Sequence, residues 1–120
     1  MRSILIGTIK EIPKGKSKKF SVRLGKEDQE GFVINYRGNF FAYLNRCCHI
    51  SLPLDWGDND FFSEDKKFLI CKNHGALYQP DSGECVGGPC GGQFLEKVPL
   101  ELKKGKLYGR FSNLRGRINV

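Results

Sequence analysis

The sequence is short of several things, and each shortage narrows what the chain can be. It has no apolar run near the roughly 20 residues that a membrane helix needs. Ser3-Ile4-Leu5-Ile6-Gly7 is too brief for the core of a secretion signal, and no small-residue cleavage site follows it. A cytoplasmic location, away from membranes, is therefore expected. Apolar residues do not recur over long stretches at helical spacing, which argues against a helical bundle. Internal repeats and low-complexity linkers are missing, so a solenoid is excluded. No phosphate-cradling glycine loop, nucleophile elbow or metalloprotease motif occurs. Acidic residues are outnumbered, 13 against 20 basic, for a formal charge of +7. The basic residues are spread among Lys14, Lys16, Lys18 and Lys19, then Lys103, Lys104 and Lys106, then Arg110, Arg115 and Arg117. No recognition helix or aromatic RNA-binding signature accompanies them. Solvated loops and tail are the plain reading, docking onto an acidic protein partner the sharper one, and no nucleic-acid partner is expected.

What is present points to strands. At 120 residues the chain fits one domain. Glycine and proline recur between short apolar segments, the punctuation of an all-β fold. Strands are expected at Ile4-Leu5-Ile6, over Phe20 to Leu24, and over Phe32 to Tyr36 and Phe40 to Leu44 about a turn at Arg37-Gly38-Asn39. Phe68-Leu69-Ile70 should run as a strand directly into Cys71. Val98, Leu100 and Leu102 alternate, Lys103-Lys104-Gly105-Lys106 turns the chain, and Leu107 to Phe111 returns. Asp58 to Lys67 has room for one helical turn. The stretch from about Cys47 to Gly92 differs from its flanks, because it holds all five cysteines, both histidines and the one tryptophan. The chain thus reads as a single domain over 1–120, with a basal β fold at about 1–44 and 93–120 and a loop-rich insert at about 45–92. Such inserts carry function on a rigid scaffold.

Five cysteines are an odd number, and in a reducing compartment metal ligation or redox chemistry explains them better than a disulfide framework. Two pairs stand out: Cys47-Cys48-His49, and Cys71-Lys72-Asn73-His74. Each puts a soft thiolate and an imidazole on one tight loop, and both histidines of the chain are used. Two S₂N₂ readings compete, one zinc ion or a two-iron cluster. Structural zinc sites favour halves made of two cysteines or of two histidines, and neither half here has that form. A [2Fe–2S] cluster with two cysteines on one iron and two histidines on the other fits better.

Cys47-x-His49 followed by Cys71-x-x-His74-Gly75-Ala76 resembles the signature of the Rieske [2Fe–2S] family, and in particular its small soluble ferredoxins. Tyr78 and the turn Pro80-Asp81-Ser82-Gly83 follow the second pair as that family's hairpin does. Gly87-Gly88-Pro89 resembles its proline loop over the cluster, and Leu52-Pro53-Leu54-Asp55 after the first pair is in keeping. The similarity spans about Phe40 to Leu107. It implies a Rieske-type antiparallel β sandwich with a loop-rich cluster-binding subdomain, and one [2Fe–2S] cluster held by Cys47, His49, Cys71 and His74. The 21 residues between His49 and Cys71 make a slightly long spacer, whose extra length is expected as a surface excursion at Gly57-Asp58-Asn59-Asp60-Phe61-Phe62. High-potential members carry a disulfide across the two cluster loops and a serine two residues after the second histidine. Here Ser51, Leu52, Lys72 and Asn73 supply no such cysteine, and Ala76 replaces the serine. Fewer donors to the cluster imply a lower, ferredoxin-like potential.

Under that resemblance Cys47 and Cys71 bind the buried iron, and His49 and His74 the outer one. Gly75, Gly87 and Gly88 let the backbone come close with N–H groups aimed at sulfur, and Tyr78 donates to a ligand sulfur. Leu52, Leu54, Trp56 and Pro89 shield the centre. Phe40-Phe41 and Phe61-Phe62 are read as packing, and Cys48 as a small buried apolar residue. Cys85 and Cys90, five apart around Gly87-Gly88-Pro89, are expected as thiols, with a bridge as the alternative. The implied function is one-electron transfer from a reductase to an oxygenase or similar acceptor, with no catalytic site in the chain itself. A small subunit of a larger nitrite-reductase-like enzyme and a zinc-stapled binding module are the competing readings.

Overall fold

The runs Phe32-Val33-Ile34 and Ala42-Tyr43-Leu44 do not alternate with polar residues, and all six side chains are buried. Such runs suit a strand covered on both faces. In the computed structural model, which describes residues 3–24, 27–46, 53–55, 60–72, 75–88 and 91–110, they form the centre of the molecule. Ten strands are described: β1 (Ser3–Thr8), β2 (Ser17–Leu24), β3 (Glu27–Tyr36), β4 (Asn39–Leu44), β5 (Leu69–Ile70), β6 (Leu77–Tyr78), β7 (Cys85–Gly87), β8 (Lys97–Val98), β9 (Leu100–Lys103) and β10 (Lys106–Arg110). One turn of 3₁₀ helix, Ile9–Glu11, follows β1. No α-helix occurs among the described residues, and none of their helices is long and apolar enough to cross a membrane.

All strand pairs are antiparallel, in three sheets ordered β1-β10-β9, β2-β3-β4-β8 and β5-β6-β7. The first two sheets face each other as a sandwich. Between them lie Ile6 and Leu107 from one side, and Phe20, Val22, Val33, Ala42, Leu44 and Val98 from the other. The opposite face of the second sheet presents Phe32, Ile34 and Tyr43 to the chain between β4 and β8, where Leu54, Phe61, Phe62, Leu69, Cys71, Ala76, Tyr78, Cys85 and Leu95 close a second core. Burying each large apolar side chain contributes roughly 1.5–3 kcal/mol.

Local chemistry sets the turns. Arg37 and Gly38 have φ of 56° and 91°, both left-handed, so the β3–β4 hairpin has a two-residue loop and Asn39 already pairs with Tyr36. Lys104 and Gly105 (φ 52° and 76°) do the same between β9 and β10. The alternation at Val98, Leu100 and Leu102 is divided by Pro99 between two sheets, and Leu102 is exposed on the outer strand of its sheet. Gly31 stands opposite Phe20 in the register, and its missing side chain is replaced by that ring. A Cβ there would lie 2.5 Å from Phe20 Cζ.

Two expectations are corrected. Phe61 and Phe62 are not a surface excursion: they are 0% and 4% exposed. The Phe61 ring stacks on Phe32 with centroids 3.9 Å apart, because the insert needs apolar weight to cover the sheet. The described part of the 58–67 segment forms no helical turn. Asp65 accepts from the Ser63 hydroxyl (2.7 Å) and the Lys67 N–H (3.0 Å), which favours a tight polar turn over a helix. Gly57, Asp58 and Asn59 lie outside the described residues, as do Phe111 and the residues after it.

Candidate metal centre

β5 delivers Cys71 to the interior. Leu69 pairs with Tyr78 and Ile70 with Leu77, so the strand leaves its sheet one residue before the cysteine. The backbone then closes on itself: Cys71 N–H donates to Ala76 O (2.9 Å) and Gly75 N–H to Cys71 O (2.7 Å). Gly75 at φ +75° allows the closure. The Cys71 side chain is fully buried within the second core, together with Ala76 and Tyr78.

A second loop meets the first. Gly88 has φ +88°, and a Cβ there would lie 2.8 Å from Ala76 Cα and 3.3 Å from Gly75 O. The two backbones touch because neither position carries bulk. Gly87 carries no such demand: a Cβ would make ordinary contact with Leu77 at 3.6 Å. Gly75 N–H is spent on Cys71 O rather than aimed at sulfur, which corrects the expected role of that group. Cys85 is buried beside this loop and its thiol donates to Gly87 O at 3.2 Å.

A third segment ties in from β4. Lys72 N–H donates to Leu54 O (2.8 Å), and Leu54 N–H to Asn45 Oδ1 (2.8 Å). Asn45 Nδ2 donates to Glu30 Oε1 (2.8 Å) and Asp55 Oδ1 (3.2 Å). Asp55, whose side chain is 1% exposed, pairs with Lys19 Nζ at 3.2 Å. Lys19 is therefore not an ordinary solvated lysine. Arg46 donates to Gln29 Oε1 next to this node. On the hairpin side, the Tyr43 hydroxyl donates to Pro80 O at 2.7 Å. Burial pushes that hydroxyl well above the usual tyrosine pKa, and the Asp81 carboxylate adds to the shift.

Of the residues picked from the sequence, Cys71, Gly75, Ala76, Tyr78 and Gly88 come together. Cys47, His49, His74, Leu52, Trp56 and Pro89 lie outside the described residues, as do Cys48 and Cys90, so the possible Cys85–Cys90 bridge does too. Among the described residues no group of three metal-ligating side chains forms. Sequence reasoning missed Tyr43, Asn45, Asp55 and Lys19. Asp55 was marked only as the end of Leu52-Pro53-Leu54-Asp55, and Asn45 left a trace as a polar residue ending an apolar strand two positions before Cys47.

What is described fits an iron–sulfur group. It offers a buried soft sulfur on a loop edged by Gly75, Ala76 and Gly88, where backbone rather than side chains sets the walls. Fold and site together define a small β protein in which a buried cysteine sits on a tight loop packed over one face of a sandwich. The chain belongs to the Rieske [2Fe–2S] domain family, whose model matches residues 3–104. The cofactor of that family is one [2Fe–2S] cluster. No curated protein matches the chain significantly. Among solved structures it is similar to the ferredoxin of carbazole 1,9a-dioxygenase from Nocardioides aromaticivorans IC177, with TM-score 0.70, 16% identity, and 91% of this chain and 97% of that one covered. It is also similar to the Sphingomonas yanoikuyae B1 ferredoxin, with TM-score 0.65, 18% identity and coverage of 88% and 95%. The terminal oxygenase of carbazole 1,9a-dioxygenase from Novosphingobium sp. KA1 matches with TM-score 0.68 at 21% identity, over 90% of this chain but 29% of the oxygenase. At these identities the likeness is one of fold.

Proposed function

We propose that the chain is a one-electron carrier that takes electrons from a reductase and gives them to an oxygenase or similar acceptor. The observation that carries this reading is Cys71, a buried cysteine delivered by a strand to a self-closed loop of small residues. Cys47 and Cys71 would hold the cluster as thiolates, and His49 and His74 as imidazoles, with 45–92 as the cluster-bearing insert of a single domain. When bound, the cluster supplies reversible one-electron chemistry. The protein's share is to keep water from the sulfur, to fix the loops, and to present a surface to partners. Coverage of 97% and 95% of two ferredoxin chains supports a carrier. A cytoplasmic place rests on the cysteine pattern. The oxygenase partner is suggested by a structure of reduced oxygenase with oxidized ferredoxin in carbazole 1,9a-dioxygenase, one chain of which matches with TM-score 0.71.

Visible absorption and low-temperature EPR of anaerobically prepared, iron-replete protein test the reading. A rhombic signal of low average g, seen only after reduction, with two irons per chain, is expected. A colourless protein holding one zinc would overturn it. Exchange of Cys71 for serine should remove the wild-type signal.

A further inference from the structure

Asn45 is the joint through which the rigid sandwich reaches the loop that begins at Cys71. Its backbone N–H donates to Glu30 O at 2.8 Å, so it is still held by the β3–β4 ladder. Its carboxamide turns inward and is 7% exposed with its residue. One nitrogen donates to both the Glu30 and Asp55 carboxylates, and the oxygen accepts from Leu54 N–H. Leu54 O then accepts from Lys72 N–H, beside Cys71. An unbroken line of hydrogen bonds thus runs from Glu30 through Asn45 and Leu54 to Lys72. Asn45 stands two residues before Cys47, so the same side chain neighbours one donor pair in sequence and is wired to the other in space.

Other side chains do this job poorly. Leucine would orphan the Leu54 N–H in a buried place. Aspartate would set a third carboxylate against Glu30 and Asp55. Glutamine carries the same groups one methylene too far out. Asp55 itself is tolerable in the interior because Lys19 and Asn45 both answer its charge.

We propose that Asn45, with Asp55 and Lys19 behind it, is a positioning residue that sets the separation of the two donor loops and so the shape and retention of the cluster. The inference rests on the carrier reading above.

The test compares cluster-loaded wild type with Asn45→Ala, with the exchange pair Asn45→Asp plus Asp55→Asn, and with Lys19→Gln. The pair reverses donor and acceptor between positions 45 and 55 and keeps an acceptor for Leu54 N–H. Three quantities are read: iron release to a ferrous chelator, EPR line shape of the reduced protein, and amide exchange at Leu54 and Lys72. Asn45→Ala should release iron at least tenfold faster, broaden the signal, and exchange both amides at least tenfold faster. The exchange pair should restore slow exchange at Leu54, whose N–H keeps an acceptor, and recover only part of the rest, because it faces Glu30 with a carboxylate and gives up the Lys19 ion pair. Asn45→Ala with wild-type release and line shape would overturn the proposal. If Asn45→Ala does not fold, Lys19→Gln decides: severalfold faster release supports the positioning role, and wild-type release overturns it. A wild-type chain without the Rieske signal would count against the carrier reading instead, and amide exchange in Asn45→Ala would then decide whether Asn45 organises the loops.

Discussion

Tyr43→Phe removes one oxygen from the middle of the protein and should be felt at the hairpin that follows the Cys71 loop. The hydroxyl donates to Pro80 O at 2.7 Å, and both residues are buried. Pro80 opens the turn that leads to Gly83, itself pressed on the Tyr43 ring: a Cβ at Gly83 would lie 2.8 Å from Tyr43 Cε1. Losing the donor leaves a buried carbonyl short of a partner, at a cost of about 2 kcal/mol. For a domain of 120 residues that is a loss of about 8 °C in Tm, at about 4 °C per kcal/mol. The pH dependence gives a second, independent signature. The folded hydroxyl titrates above the usual tyrosine range. Below about pH 10 both folded and unfolded chains keep the proton. Above it the unfolded chain loses the proton while the folded chain holds it, so unfolding releases a proton and stability falls by up to about 1.4 kcal/mol per pH unit. Phenylalanine has no such loss. The advantage of wild type should therefore shrink as pH rises and vanish near about pH 11.5. Thermal unfolding of both cluster-loaded proteins at one scan rate, followed by far-UV circular dichroism at pH 8 and pH 11, reads the gap. A gap that stays constant, or no gap at pH 8, would refute the reasoning.

Gly88→Ala should cost about 2–4 kcal/mol, from a left-handed φ and a Cβ driven against Ala76 Cα. Its iron-to-chain ratio should drop, whereas Gly87→Ala, which meets only ordinary contact with Leu77, should load normally; equal loading of the two would contradict the close approach. Gly31→Val should lower the urea midpoint by the equivalent of at least about 2 kcal/mol, because its Cβ meets both the Phe20 ring and Tyr43 O, and an unchanged midpoint would mean the ring can move aside cheaply. Asp65 is held below the usual carboxylate range, first by the Ser63 hydroxyl and then by the Lys67 N–H. Its contribution is present above the ordinary aspartate pKa of about 3.9 and is lost as pH falls through the lower folded value. Asp65→Asn should thus exchange the Lys67 amide faster than wild type at pH 6, with the difference closing towards pH 3.

Much of the sandwich could be read because its strands follow period-two and turn rules. The Arg37-Gly38 and Lys104-Gly105 turns are local chemistry, and local chemistry is visible in sequence. Of the two cysteine–histidine pairs, Cys71 is found buried at the end of the apolar run that leads into it, a place its sequence context made visible, while Cys47, His49 and His74 lie outside the described residues. What was not legible depends on distant partners. Phe61-Phe62 read as packing from its aromatic character and as a surface excursion from its place in the spacer, and only the packing is found, because nothing nearby in sequence says that Phe32 lies beneath Phe61. Lys19 looked like one more solvated lysine because Asp55 is 36 residues away along the chain. The Gly75 N–H was assigned to sulfur because the Cys71–Ala76 closure, which uses it, appears only in three dimensions.

The period of a strand explains why β4 matters more than its composition suggests. Phe40, Ala42 and Leu44 point to the sandwich core, and Phe41 and Tyr43 point to the core under the insert. Asn45 continues the second set. Two residues of that set hold the insert by side-chain oxygen or nitrogen at separate places: Tyr43 at the Pro80 turn, and Asn45 at Leu54 and thence Lys72. The insert is therefore fixed at two points to one strand, and that strand is fixed to the sandwich by the alternate side chains. A one-residue slip of β4 would send Tyr43 and Asn45 into the sandwich and Ala42 and Leu44 towards the insert, breaking both cores at once. Register is thus secured from two sides, and the loops inherit that precision. Changes at Tyr43 and Asn45 should add in stability, since their partners differ, yet of the two only Asn45 should alter the EPR line shape, because its hydrogen bonds run through Leu54 to Lys72 beside Cys71, whereas the Tyr43 hydroxyl goes to Pro80.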